Sequence, residues 1–423
     1  MPEDGILVDM TGIVSLIESD RSEESVMKAR RKFFDCVGRL TEMAEAYGFY
    51  GNLWHTYLTY LLVNHENAYS KACEITGHVE GSINDIALHD CRILKSLYDY
   101  DLTEMGEAIA SSQSAVISDY RTDKADRILY NRRIRDRICA LTKELESAES
   151  PEAFKAYLES FYKEYGVGKL GLHKAFRIEH DENDTPVIVP ITNIRHVHLD
   201  DLVGYDIPKK KLIDNTEAFV KGRKANNCLL FGDAGTGKST SVKAILNMYY
   251  DQGLRVIEVY KHQIRDINDI IASIKNRQYK FILFMDDLSF EEFEIEYKYL
   301  KAVIEGGLER KPDNVLIYAT SNRRHLIKEN YDDKKGRRFD DMHASDTVEE
   351  KLSLAARFGV TIYFSSPDKK NFNQIVLSLA EKNGIHMDEA ILLEEANKWE
   401  ISHGGFSGRT AQQFIDYLLG QEA

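Results

Sequence analysis

One stretch limits the folds open to this chain more than any other: Asn227-Cys228-Leu229-Leu230-Phe231-Gly232-Asp233-Ala234-Gly235-Thr236-Gly237-Lys238-Ser239-Thr240. It fits the pattern G-x-x-x-x-G-K-[ST], with Gly232, Gly237, Lys238 and Ser239 at the fixed positions. The apolar run Cys228 to Phe231 predicts a buried strand, and Val242, Ile245, Leu246 and Tyr249 then recur at helical spacing. The glycines therefore lie where a strand turns into a helix, the context in which such a loop wraps its backbone N–H groups around phosphate. Gly232, Asp233, Ala234, Gly235, Thr236, Gly237, Lys238, Ser239 and Thr240 are the expected nucleotide contacts. Lys238 would reach the terminal phosphates and the Ser239 hydroxyl would ligate Mg²⁺.

The next constraint is Phe281-Ile282-Leu283-Phe284-Met285-Asp286-Asp287, an apolar strand ending in two carboxylates one strand and one helix further along. Asp286 is the expected Mg²⁺ ligand, acting through water, and Asp287 the group that orients or deprotonates an attacking water. Glu291 and Glu292 follow a turn signal and rank below Asp287. The strand after that ends Ala319-Thr320-Ser321-Asn322, and the Asn322 amide can both donate and accept, as a positioner of water and γ-phosphate must. Taken alone, Asn322 reads equally as a turn residue.

These strands belong to an alternating pattern that starts near Leu199. The apolar runs at 228–231, 256–260, 281–285, 315–319 and 360–364 alternate with amphipathic helices, and this predicts a parallel five-stranded sheet covered on both faces. Before it, the first 165 residues carry helical stripes: Val26, Phe33, Val37, Leu40 and Ala44; Trp54, Tyr57, Leu58, Leu61 and Leu62; Ile134, Ile138, Leu141 and Leu145; Phe154, Tyr157, Leu158, Phe161, Tyr162 and Tyr165. The expected divisions are a helical N-terminal domain over 1–165, a β-containing connector over 166–198, the α/β core over 199–364 and a helical lid over 365–423. Residues 121–137 mix arginines with aspartates and read as a solvated helix face in preference to a nucleic-acid contact.

The order of parts resembles the AAA+ ATPases over about residues 199 to 420: phosphate loop, Asp-Asp strand, an asparagine sensor, an arginine before the fifth strand and an arginine in a helical lid. The resemblance implies that Leu199-Asp200-Asp201-Leu202-Val203-Gly204 lies against adenine, with Val203 and Gly204 in contact. It implies that Arg357 is a finger serving a neighbouring subunit, and that Arg409 is a second sensor tying the lid to the γ-phosphate. Read locally, Arg357 is a helix C-terminal cation and Arg409 a surface residue. The motifs Asn215-Thr216-Glu217-Ala218-Phe219, Ala225-Asn226-Asn227 and Thr320-Ser321-Asn322-Arg323-Arg324-His325-Leu326 are similar to the bacterial AAA+ family known as domain of unknown function 815, with the likeness expected to extend into the helical region.

The resemblance implies ATP and Mg²⁺ as cofactors, ATP hydrolysis, and an ATP-dependent homo-oligomer such as a hexamer that remodels a protein partner through the N-terminal domain. Asp286-Asp287 stands where most relatives have Asp-Glu, so hydrolysis is expected to be slow. Tyr260-Lys261-His262-Gln263-Ile264 lacks the glycine of a protein-threading loop. Two alternatives stay open: a nucleotide-gated binding module with negligible catalysis, and a DNA-associated loader. Nucleic-acid contact from Arg323, Arg324, Arg337 and Arg338 is left open by a net charge of −14. The five cysteines show no C-x-x-C pair, and no run approaches the length of a membrane span, so the expected setting is cytoplasmic with no membrane partner.

Overall fold

The computed structural model describes residues 5–19, 22–121, 130–192, 194, 196–291, 294–305, 312–323, 326 and 354–421. The chain divides into two compact units, Met1–His173 and Lys174–Ala423. No helix among the described residues is long and apolar enough to cross a membrane.

The described residues of the first unit form helices and their connections, with one isolated antiparallel bridge between Gly51 and Tyr120. Its described helices are α1 (Ile6–Ser19), α2 (Glu23–Tyr47), α3 (Leu53–Asn64), α4 (Ala68–Thr76), α5 (Ser82–Tyr98), α6 (Leu102–Ala108), α7 (Gln113–Ser118), α8 (Arg132–Glu146), α9 (Pro151–Tyr165) and α10 (Gly168–Leu172). Local chemistry sets their ends. Ser22 caps α2 by accepting from the Ser25 N–H, and Gly48 in the left-handed conformation stops it. Ser150 caps α9 ahead of Pro151 at the first helical position, and Gly166 ends it. The predicted stripes are the buried faces: Phe33, Leu40 and Ala44 of α2, Ile134, Ile138, Leu141 and Leu145 of α8, and Phe154, Leu158, Phe161 and Tyr162 of α9 share one core. Full burial of one such aliphatic or aromatic side chain contributes about 1.5–3 kcal/mol. Of the arginine-rich stretch, residues 122–129 lie outside the described residues. On α8, Arg135 pairs with Asp136, and Arg137 sits 4.2 Å over the Tyr165 ring.

The second unit is built on a sheet whose strands are β1 (Ala175–His180), β2 (Pro186–Ile191), β3 (Cys228–Gly232), β4 (Leu254–Glu258), β5 (Lys280–Met285), β6 (Val315–Ser321) and β7 (Val360–Phe364). They lie side by side as β2-β1-β4-β5-β6-β3-β7. Seven strands replace the expected five, because residues 175–191 join the sheet: β1 pairs parallel to β4 and antiparallel to β2. The five expected strands are parallel to their neighbours. Phe281 to Met285 and all of β6 are buried, as strands covered on both faces must be. The strand expected at 256–260 runs instead over 254–258. Gln263 holds the Tyr260 N–H through its side chain while its own N–H bonds the Tyr260 carbonyl, and this turn ends the ladder.

Helices α11 (Asp206–Val220), α12 (Lys238–Tyr249), α13 (Ile267–Ile274) and α14 (Glu296–Glu305) cover the sheet's connections. Val242, Ile245, Leu246 and Tyr249 of α12 are buried as their spacing predicts. After β7 come α15 (Lys369–Lys382), α16 (Glu389–Ser402) and α17 (Gly408–Gln421), which pack around Phe372, Val376, Ala396, Phe414 and Ile415. This bundle has its own core, while Val203 packs against it and Leu202 packs against the core under the sheet. The segment expected to meet adenine therefore lies between the two cores.

Candidate phosphate-binding site

The loop between β3 and α12 takes its shape from its glycines. Gly232 has φ 135, and a Cβ placed there would stand 2.0 Å from the Phe364 carbonyl oxygen of β7. Gly237 precedes α12 at φ 88, in the left-handed region that glycine enters without cost. The loop opens directly into the first turn of α12, where backbone N–H groups have no partner within the helix and favour an anion. Asp233 does not point to this cradle. Its Oδ2 accepts from the Ser366 N–H and hydroxyl, both at 2.9 Å, which ties the loop to the segment leading into the C-terminal bundle.

Lys238 is buried, and its Nζ donates to the carbonyls of Gly232 at 2.9 Å and Asp233 at 2.6 Å and to Asn322 Oδ1 at 3.0 Å. Burial pushes its ammonium below the ordinary lysine range, against the pull of Asp233, Asp287 and Asp286. The Asn322 Nδ2 donates to Asp287 Oδ1 at 2.8 Å. Lysine can only donate and a carboxylate only accept, so the amide orientation is dictated by its two neighbours. One side chain thus connects the loop lysine to the second carboxylate.

Asp286 and Asp287 are exposed just beyond the buried end of β5. Ser239 Oγ donates to Asp286 Oδ1 at 2.5 Å, which puts a hydroxyl and a carboxylate side by side. Hard oxygen donors of this kind, few in number and open to water and phosphate, suit Mg²⁺, which is held in phosphate sites by one or two protein ligands. No cluster of three or more His, Cys, Asp or Glu able to hold a metal occurs among the described residues. The Ser239–Asp286 pair offers two protein oxygens, and a cation held there would complete its shell with water and phosphate.

These groups line one cleft of about 660 Å³, which also takes in Val203, Tyr205, Lys382 and Arg409. Of the expected contacts, Ala234, Gly235, Thr236, Gly237, Ser239 and Thr240 line it, whereas Gly204, Gly232 and Asp233 do not. Arg409 reaches it from the start of α17, and its N–H donates to the Gly235 carbonyl at 3.3 Å. Arg357 is not part of the cleft lining and pairs with Glu305 at the end of α14. Glu291 does not line the cleft; Glu292, Arg324, Arg337, Arg338 and the stretch 328–341 lie outside the described residues.

Two features have no counterpart in the sequence reading. Lys382 of α15 pairs with Asp201 at 2.5 Å, closing a contact between the bundle and the segment before α11. Thr320 lines the cleft from β6 between the two aspartates. A pairing of residues so far apart leaves no local signal, and a threonine in a strand is too ordinary to give one.

A profile of the family described as "Protein of unknown function (DUF815)" matches residues 172–422. The match coincides with the second unit, and the expected extension into the helical region has no counterpart in it. No curated protein matches the chain. Among solved structures, the FIGL-1 AAA domain in complex with ADP is 17% identical over 54% of this chain and 75% of that one, with a TM-score of 0.36. The Thermotoga maritima RuvB Holliday junction branch migration motor is 16% identical over 53% and 72%, with a TM-score of 0.32. Scores this low define no shared fold, so the weight rests on the family match and on the site's own residues.

Proposed function

The chain belongs to the family described as "Protein of unknown function (DUF815)", and we propose that it is an AAA+ ATPase that binds ATP with Mg²⁺, hydrolyses it slowly and works as an oligomeric switch or remodeller. The observation that carries this reading is the relay Lys238–Asn322–Asp287 beside the Ser239–Asp286 pair, all in one cleft between the sheet and the C-terminal bundle.

In this reading Val203 and Gly204 flank adenine, the loop amides and Lys238 hold the phosphates, and Ser239 and Asp286 hold Mg²⁺. Bound there, the cation would neutralise charge on the phosphates. Asp287, held by Asn322, orients water for in-line attack. Arg409 links the bundle, acting as a lid, to the γ-phosphate, and Arg357 is supplied to the neighbouring subunit's site. Asp287 is one bond shorter than the glutamate found at this place in most AAA+ proteins, and its shorter reach toward water supports slow turnover. The helical unit is the part offered to a partner. All five cysteines are buried and free, which supports a reducing, cytoplasmic setting.

The test is phosphate release by the wild type, Lys238→Ala and Asp287→Asn, with gel filtration at high protein concentration and saturating ATP·Mg²⁺. Release abolished by both substitutions together with ATP-driven assembly is expected; a monomer under those conditions overturns the oligomeric switch. The short reach of the Asp287 carboxylate also favours a second reading, a nucleotide-gated binding module. ATP binding without substitution-sensitive release selects it.

A further inference from the structure

Thr320 occupies a position that the ATPase reading does not use. It is the penultimate residue of β6, 1% exposed, and both its hydroxyl and its carbonyl face the end of β5. Its Oγ1 lies 2.5 Å from Asp286 Oδ1 and 2.8 Å from the Asp287 backbone nitrogen. An N–H can only donate, so Oγ1 accepts there, and the hydroxyl proton is left for the Asp286 carboxylate. Ser239 Oγ donates to the same Oδ1 at 2.5 Å. Two donors converging on one oxygen fix the rotation of that carboxylate and leave the lone pairs of Ser239 Oγ free to face a cation.

The main chain beyond is held by the same residue. Asp287 has φ 51, a left-handed conformation that a side-chain-bearing residue rarely adopts. Its N–H is tied to Thr320 Oγ1, and the next N–H, of Leu288, donates to the Thr320 carbonyl at 2.7 Å. Asp287 therefore turns out of the strand direction at a place where Thr320 holds both flanking amides, and the turn delivers its carboxylate to Asn322. Backbone strain of this kind persists only where the surroundings over-determine it.

We propose that Thr320 is the positioning residue of the site, setting the plane of the metal-binding Asp286 with its hydroxyl proton and the direction of Asp287 with its oxygen lone pair. The proposal rests on the ATP·Mg²⁺ reading above. Valine is close to threonine in shape but can neither donate nor accept, whereas serine keeps the hydroxyl.

The experiment measures binding of a fluorescent ATP analogue as Mg²⁺ is titrated, alongside steady-state hydrolysis, for the wild type, Thr320→Val, Thr320→Ser and Asp286→Asn. Losing a hydrogen bond to a charged group should raise the half-saturating Mg²⁺ for Thr320→Val about tenfold and lower turnover by a similar factor. Nucleotide binding without Mg²⁺ should be unchanged, and Thr320→Ser should stay within about threefold of the wild type. In its Mg²⁺ dependence the double variant Thr320→Val/Asp286→Asn should be no worse than Asp286→Asn, since both act through the same carboxylate, while its turnover should fall further because the Asp287 N–H is freed as well. Wild-type Mg²⁺ dependence in Thr320→Val, with Asp286→Asn impaired, overturns the proposal. Wild-type Mg²⁺ dependence in Asp286→Asn overturns the reading on which it rests. Should Thr320→Val fail to fold, Thr320→Ala loses the same two hydrogen bonds and carries the comparison.

Discussion

Replacing Gly232 by alanine tests how tightly the phosphate loop is bound into the sheet. The added Cβ would meet the Phe364 oxygen at 2.0 Å and its carbonyl carbon at 2.8 Å, and both belong to backbone that cannot swing aside. Those atoms are fixed in turn, because Gly232 is in register with Phe364 and the Asp233 N–H donates to the Phe364 carbonyl at 3.2 Å. Two costs add. Holding alanine at φ 135 costs about 1–3 kcal/mol, and forcing a methyl into filled space about another 1–3 kcal/mol. Their sum, centred near about 4 kcal/mol, lowers the melting temperature by roughly 8–16 °C, at about 2–4 °C per kcal/mol for a unit of this size. The assay is built into the sequence. Trp54 lies in the first unit and Trp399 in the second, so in a Trp54→Phe background tryptophan fluorescence follows the second unit. Gly253→Ala is the control: its φ is 93, but nothing lies within 4 Å of its Cβ, so it carries the strain without the clash. If Gly232→Ala melts no lower than Gly253→Ala, the close approach of β3 to β7 is refuted.

Asn322→Leu keeps the size of the side chain but cuts the link between Lys238 and Asp287; a lost bond to a charged group is worth about 1.5–3 kcal/mol, so turnover should fall roughly 10- to 100-fold in a phosphate-release assay. Turnover within about twofold of the wild type would sink the relay. Lys238 binds its proton more weakly when folded than when unfolded, so its cost to stability is full below the lowered pKa and fades as pH climbs toward the ordinary 10.5. Melts of nucleotide-free wild type and Lys238→Met at pH 8 and pH 10 should show the wild type gaining on the variant at the higher pH; a constant gap contradicts the shift. Burial pushes the Cys36 thiol up to about 11 and the Cys91 thiol up to about 12, and all five thiols are buried. Ellman's reagent at pH 8 should therefore titrate five thiols only after denaturation, and an immediate burst from the native protein would contradict their burial.

The phosphate loop and the Asp-Asp strand were legible because their chemistry demands particular residue types at fixed spacing, whatever packs around them. The helical faces of α2, α8 and α9 were equally legible, since each buries one side and leaves the other wet. Helix α3 was harder, as it is buried on nearly every side and its periodicity is blurred. The β1–β2 hairpin read as a connector for a physical reason. Arg177 and Glu179 alternate with buried residues in β1, and β2 carries Pro186 and Pro190, which a sheet tolerates at its edge. Its partner β4 lies far along the chain, and the local sequence says nothing of that pairing. Thr320 was missed for a related reason: its hydroxyl matters only once β5 and β6 are side by side.

The position of β3 within the sheet has a consequence for how the chain is made. Cys228 to Phe231 is a wholly apolar run whose two partners are β6, at 315–321, and β7, at 360–364. During synthesis the run leaves the ribosome with both edges open, and at about 5–20 residues per second its second partner follows on the order of ten seconds later. Until then the strand's edge toward β7 has no ladder partner, and an unpaired apolar edge is prone to association. A nascent chain released before Phe364 would carry every residue of the phosphate motif and lack the carbonyl against which Gly232 and Asp233 are packed.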